Sequence, residues 1–221
     1  PNYCSYAKGY FDRLPQALAV IRDQPGHWDK ARLETIAQVH QVCPFELSLD
    51  AAREVDVIVC DYNYLFSPST RLKRFFEERR GRYSVLLDEL HNLVDRGQDM
   101  FSAEVQKLQF QAAKKESRAA YPTCVKVLNQ VNRAFLALNK SLGSNAPEIE
   151  VAAEALKPLC SRLQQFLTHL ETLEAPQGLP AELTQCLFDA HRFLQVFDKL
   201  NDDYATFVLD SQINLTVRLA C

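Results

Sequence analysis

Cys124, Leu128, Val131, Phe135, Leu138 and Leu142 recur at 4-3-4-3-4 spacing, the stripe that one long helix presents to a partner. Two more stripes follow. Val151, Ala155, Leu159, Leu163, Phe166, Leu170 and Leu173 form one, bounded by Gly143-Ser144-Asn145-Ala146-Pro147 and Ala175-Pro176-Gln177-Gly178-Leu179-Pro180. Leu183, Leu187, Ala190, Leu194, Phe197 and Asn201 form the other. An antiparallel helical bundle over residues 103–202 is the simplest architecture for them. Beyond it, Thr206 to Leu209 and Leu215 to Leu219 flank Asp210-Ser211-Gln212 and read as a hairpin. The helical block is thus flanked by strands, as an insertion into a sheet domain would be.

The front of the chain has a different grain. Leu14, Leu18 and Ile21 share a helical face; Gln24-Pro25-Gly26 breaks it, and Asp29 can cap a second helix carrying Leu33, Ile36, Ala37 and His40. That helix is expected to end at Cys43-Pro44, because proline disfavours helical geometry in the residue before it. From Val55 a β-branched run, Val57-Ile58-Val59-Cys60, reads as a buried strand, and Tyr83-Ser84-Val85-Leu86-Leu87 as a second. A helix from Ser69 to Arg80 has the length of a crossover between them, so two parallel strands of an α/β sheet are expected. The fold class is therefore mainly α with a small parallel β component.

Composition excludes several functions. The chain has 221 residues, 47% hydrophobic, with a net charge of -3, so a nucleic-acid surface would be a local patch. Its 6 glycines stand singly at Gly9, Gly26, Gly81, Gly97, Gly143 and Gly178, so neither a dinucleotide-binding loop nor a G-x-x-x-x-G-K-[ST] phosphate loop can be written. The 7 cysteines are scattered with no C-x-x-C pair, a usage that suits a reducing compartment. No apolar run is long enough to span a bilayer. A soluble, cytoplasmic, monomeric protein with no membrane partner is expected.

The sharpest local feature is Leu86-Leu87-Asp88-Glu89-Leu90-His91-Asn92, an apolar strand whose carboxyl end delivers two carboxylates and a histidine. Ligands of open α/β sheets bind at that end. In phosphoryl-transfer ATPases such an Asp holds magnesium and the neighbouring Glu orients and deprotonates the attacking water. Alternatively, Asp88-Glu89 only starts a solvated helix, where acids suit the positive end of the dipole.

Asp88-Glu89-Leu90-His91 resembles the DEAH form of the Walker B motif, and its context resembles the iron–sulfur DNA helicases of the XPD/DinG group in superfamily 2. Val57-Ile58-Val59-Cys60-Asp61-Tyr62-Asn63-Tyr64-Leu65-Phe66-Ser67-Pro68 is similar to the segment preceding Walker B in that group. Cys4 with Ala7-Lys8-Gly9-Tyr10-Phe11-Asp12-Arg13 resembles the third cluster ligand and its neighbourhood in bacterial members, and Cys43-Pro44-Phe45-Glu46-Leu47-Ser48-Leu49-Asp50 the fourth. The resemblance covers residues 4–102, and by position alone extends to an arch domain.

What the resemblance implies is part of an ATP-dependent helicase moving 5′ to 3′ on single-stranded or forked DNA. Residues 1–50 would be part of the iron–sulfur domain, 51–102 part of motor domain one with Walker B, 103–205 the arch, and 206–221 strands returning to the motor. Asp88 would position magnesium, Glu89 activate water against ATP, and His91 couple hydrolysis to movement. Cys4 and Cys43 would hold half of a [4Fe–4S] cluster, which needs four thiolates. The remaining two cysteines and the phosphate loop lie upstream of Cys4 in the family, so these residues alone are expected to be inactive. Leu90 departs from the usual alanine, which bears on coupling more than on metal binding.

DNA-binding candidates are Arg71, Lys73 and Arg74, from the densest basic stretch, and Lys8, Tyr10 and Arg13 beside Cys4. For the basic stretch a solvated helix face is the competing explanation, with Phe75 or Phe76 packed on the sheet. Cys60, Cys124, Cys160, Cys186 and Cys221 read as core residues. The competing functional class is a non-enzymatic helical interaction module, or a degenerate helicase kept for a structural role.

Overall fold

A computed structural model describes residues 4–23, 26–68, 70–76, 82–143, 146–173, 175 and 178–221. The chain divides into two compact units, one comprising Pro1–Asp61 with Lys73–Gly81, the other Tyr62–Leu72 with Arg82–Cys221.

In the first unit, the helices between Tyr10 and Ala51 surround one small core. Helix α1 (Tyr10–Arg22) starts after Gly9, which sits in the left-handed region at φ 71, where glycine has no Cβ penalty. Asp29 caps α2 (Lys30–His40) as its sequence predicts, accepting from the Arg32 N–H at 2.9 Å. The end of α2 differs from expectation. Gln41 turns left-handed at φ 52 and stops the helix at His40, ahead of the proline; Pro44 instead opens α3 (Pro44–Ala51) at its first position, where its missing N–H costs nothing. Ala17, Ile21, Ile36, Ala37, Val42 and Leu47 are buried together beneath these helices. Arg22 pairs with Glu54 in the turn after α3, Nε to Oε2 at 2.7 Å.

The short helices α4 (Asn63–Phe66) and α5 (Lys73–Phe76) follow. Of the crossover helix expected from Ser69 to Arg80, only α5 is helical among the described residues; Ser69 and residues 77–81 lie outside them. The two expected parallel strands are not strands. Residues 55–60 and 82–87 are irregular and lie outside the sheet, with Val57, Val59 and Leu86 exposed at 78%, 95% and 98%. A parallel pair is stable when both of its faces are covered, and among the described residues Val57, Val59 and Leu86 stay uncovered.

In the second unit, α6 (Leu93–Phe101) leads to β1 (Ala103–Gln106), α7 (Lys107–Ala120) and α8 (Pro122–Leu142). Then come β2 (Glu148–Glu150), α9 (Ala153–Glu171), α10 (Ala181–Phe197), β3 (Ala205–Asp210) and β4 (Leu215–Ala220). Helices α7 to α10 pack in a ring, α7 on α8, α8 on α9, α9 on α10 and α10 back on α7. The first stripe is buried as its spacing predicts, from Cys124 through Leu138, with Leu142 packed at its edge. The other two stripes rotate slightly. Leu156 is buried in place of Ala155, and Cys186, Phe193 and Val196 lie deeper than Leu187, Leu194 and Phe197; Asn201 falls beyond the end of α10 and is exposed. Phe110 of α7 joins the helices, its ring 5.9 Å from Phe135 and 5.7 Å, edge-on, from Phe166. Each such fully buried side chain contributes about 1.5–3 kcal/mol by leaving water.

The sheet is small, as expected, but antiparallel, in the order β1-β4-β3-β2. The expected hairpin is β3–β4, with Val208 opposite Val217. Leu215, Val217 and Leu219 face the core while Thr216 and Arg218 point away. Strand β1 pairs with β4, Ala103 opposite Leu219 and Val105 opposite Val217. In the β3–β4 turn, Asn214 Oδ1 accepts from the Leu108 N–H at 3.0 Å, satisfying one of the free donors that begin α7. Of the cysteines expected in the core, Cys124, Cys160 and Cys186 are buried, but Cys60 and Cys221 are exposed. Cys60 belongs to the uncovered irregular segment, and Cys221 lies beyond β4. Among the described residues no helix is long and apolar enough to cross a membrane.

Candidate functional site

The irregular segment 82–87 leads to Asp88 and Glu89, both exposed. Asp88 Oδ1 accepts from the Glu89 N–H at 2.9 Å. Glu89 itself is left-handed, φ 50 and ψ 40, and opens a single 3-10 turn, Leu90–Asn92, that runs into α6. Its carbonyl accepts from the Asn92 N–H at 2.9 Å. Glu89 Oε2 lies 3.3 Å from His91 Nε2, with both side chains largely exposed. A non-glycine residue in the left-handed region stores about 1–3 kcal/mol, and such residues gather at functional sites. The acid of the first turn of α6 is Asp95; the Asp88-Glu89 pair stands ahead of the helix, not within its first turn. The arrangement sets two carboxylate groups and an imidazole along one tight turn, groups capable of proton transfer. Leu90 is exposed between them, and Arg96 of α6 covers the Tyr62 ring at 5.2 Å.

Both cysteines singled out by sequence belong to the first unit. Cys4 is exposed at the start of the turn that leads into α1, its carbonyl accepting from the Ala7 N–H at 3.1 Å. Cys43 is half-buried at the N-terminal cap of α3. Arg13 links their loops: its Nη2 donates to the Lys8 carbonyl at 2.8 Å and to the Gln41 carbonyl at 2.8 Å, with Nε on the same Gln41 oxygen at 3.1 Å. A longer contact reaches the Tyr6 carbonyl at 3.5 Å. As soft donors, the two thiols fit an iron–sulfur cluster as two of its four ligands. Among the described residues no three His, Cys, Asp or Glu side chains gather to hold a metal ion.

The basic candidates divide into two groups. Lys8, Arg71 and Lys73 are exposed. Tyr10 is buried, and its hydroxyl donates to Asp50 Oδ2 at 2.8 Å; burial, then that hydrogen bond, push its ionisation far up. Arg74 is held by two carboxylates one helical turn apart on α3, Glu46 at 2.8 Å and Asp50 at 3.3 Å, and Phe75 beside it is buried. Arg13 is engaged by backbone carbonyls. Sequence offered all three as DNA contacts, whereas each is tied into the first unit. For Arg13 the available signal was Gly9 four residues earlier, but its partner at Gln41 is 28 residues away and leaves no local trace. In the helical block, a recess lined by Pro122, Thr123, Lys126, Val127, Gln130 and His169 carries neither thiol nor carboxylate.

Comparison with known proteins places the acid pair, both cysteines and the DNA-contact candidates in one segment. The DEAD_2 family matches residues 2–110, just under half of the chain, and spans Cys4, Cys43, Asp88, Glu89 and His91. The chain is similar to the Fanconi anemia group J protein homolog of Gallus gallus, 29% identical over 89 residues. That alignment covers 40% of this chain and 7% of the relative's length, so the chain spans a small part of the relative it matches.

Proposed function

We propose that these residues are part of an ATP-dependent DNA helicase of the iron–sulfur group, moving 5′ to 3′ on single-stranded DNA. The observation that carries the reading is the acid pair: exposed, with Glu89 held left-handed, and inside the span matched by DEAD_2. Asp88 would hold magnesium, directly or through water, and the ion would neutralise charge on the phosphates of ATP. Glu89 orients the attacking water and takes its proton, and His91, in reach of Glu89, relays the state of that carboxylate to the turn leading into α6.

Residues 1–50 then belong to the cluster domain, with Cys4 and Cys43 as two of four ligands, 51–102 and 206–221 to the first motor domain, and 103–205 to the arch. Lys8, Arg71 and Lys73 are the exposed cations offered to DNA phosphates. Tyr10, Arg13 and Arg74 are tied into the first unit.

The test is Glu89→Gln in the intact protein. Single-stranded-DNA-stimulated ATP hydrolysis is expected to fall about 10²- to 10⁴-fold, the range for loss of a general base, while ATP binding persists. Hydrolysis at the wild-type rate would show the acid pair to be structural and return the chain to the class of helical interaction modules.

A further inference from the structure

Arg13 occupies an unusual position for a cation. Its guanidinium donates to main-chain carbonyls of the two cysteine loops, with no carboxylate among the partners its hydrogen bonds reach. Tyr6, reached by the longer contact, is two residues after Cys4, and Gln41 is two residues before Cys43. Two separate backbone features build the site around it. Gly9 lies left-handed at φ +71, and a Cβ there would meet Arg13 Nη1 at 2.9 Å, closer than real contacts allow; the glycine leaves the space that the guanidinium fills. Gln41 is also left-handed, and it both ends α2 and presents its carbonyl to two Arg13 nitrogens. A planar fork of five donors can serve several carbonyls at once, which an ammonium cannot do with the same geometry.

We infer that Arg13 is the positioning residue of the Cys4–Cys43 pair, fixing the two loops so that both thiolates reach one cluster. The inference rests on the reading of these cysteines as cluster ligands. It predicts that Arg13 controls how firmly the cluster is held, although Arg13 is not itself a ligand. Groups that orient metal ligands from behind typically account for 10- to 100-fold in metal affinity.

The experiment uses the intact protein purified without oxygen, following visible cluster absorbance after addition of an iron chelator, with far-ultraviolet circular dichroism recorded in parallel. Arg13→Ala is expected to release iron about 10- to 100-fold faster than wild type, and Arg13→Lys to fall between them, both at unchanged helical content. Arg22→Ala is the control on the same helix, because it breaks the pair with Glu54 without touching either cysteine loop; it should release iron at the wild-type rate. If Arg13→Ala fails to fold, Arg13→Lys decides. Wild-type release rates in the Arg13 variants would overturn the inference and leave the cluster reading standing, as would equal acceleration by Arg22→Ala, which would mean general loosening of α1. No cluster absorbance in the wild type would overturn the cluster reading, and the inference with it.

Discussion

The helical block from Ala103 to Ala220 and the irregular segments at 55–60 and 82–87 are built from similar apolar residues and end in opposite states. In the block, Phe110, Phe135, Phe166 and Phe193 are fully buried; in the segments, Val59 and Leu86 stand almost wholly in solvent. The difference lies in where each element's partner comes from. A helix closes its own hydrogen bonds and needs only a neighbouring apolar face, which the next stripe in the sequence supplies. A buried strand needs other strands beside it and cover on both faces.

Three measurements can break or sharpen this contrast. The largest effect concerns thiols. Burial, with Asp198 nearby, pushes the Cys160 thiol up to about 12, so at neutral pH it holds roughly a thousandfold less thiolate than an ordinary cysteine. Alkylation of the native protein at pH 8, read by mass spectrometry, should modify Cys60 and Cys221 and spare Cys160. Because the thiolate is the reactive form, Cys160 labelling should climb about tenfold per pH unit up to its pKa, as long as the fold persists. Prompt labelling of Cys160 at pH 8 would mean that the block opens readily. Next, Phe135→Ala should cost about 3–5 kcal/mol in denaturant unfolding, since it removes a ring packed on Phe110. Smallest, Leu86→Ala in the 221-residue chain should change stability by less than about 0.5 kcal/mol. A loss approaching that of Phe135→Ala would show that the segment is covered after all, and the contrast would collapse.

What the sequence revealed follows the same division. The α8 stripe, the β3–β4 hairpin and the Asp29 cap are local patterns, each complete within one element or one hairpin, and each is found where its residues predict it. Strands β1 and β2 were missed: Ala103–Gln106 and Glu148–Glu150 are too short to show a period, and each exists because of a distant partner. Helix α7 was missed too. In the site, the acid pair and both cysteines were legible as motifs, whereas the left-handed turn at Glu89 was not, because nothing in Asp88-Glu89-Leu90-His91 marks it. Arg13 was noticed for its charge, yet what engages it is the backbone shape of Gly9 and Gln41. The partners of Arg74 were hidden for a related reason: Glu46 and Asp50, which hold it, come from a helix more than 20 residues earlier.

The pairing of β1 with β4 also decides how the block answers to force. Ala103 lies opposite Leu219, and one residue further out the Cys221 N–H donates to Ser102 Oγ at 3.1 Å. The chain therefore comes into the block and leaves it at the same end of an antiparallel ladder. Tension drawing Ser102 away from Cys221 acts along the hydrogen bonds between the strands, which lie perpendicular to both, and meets them one at a time. The ladder unzips from that end, pair by pair, and does not have to shear all at once. Mechanical work done on the flanking chain would reach the closing strands first and the ring of helices only after they had parted.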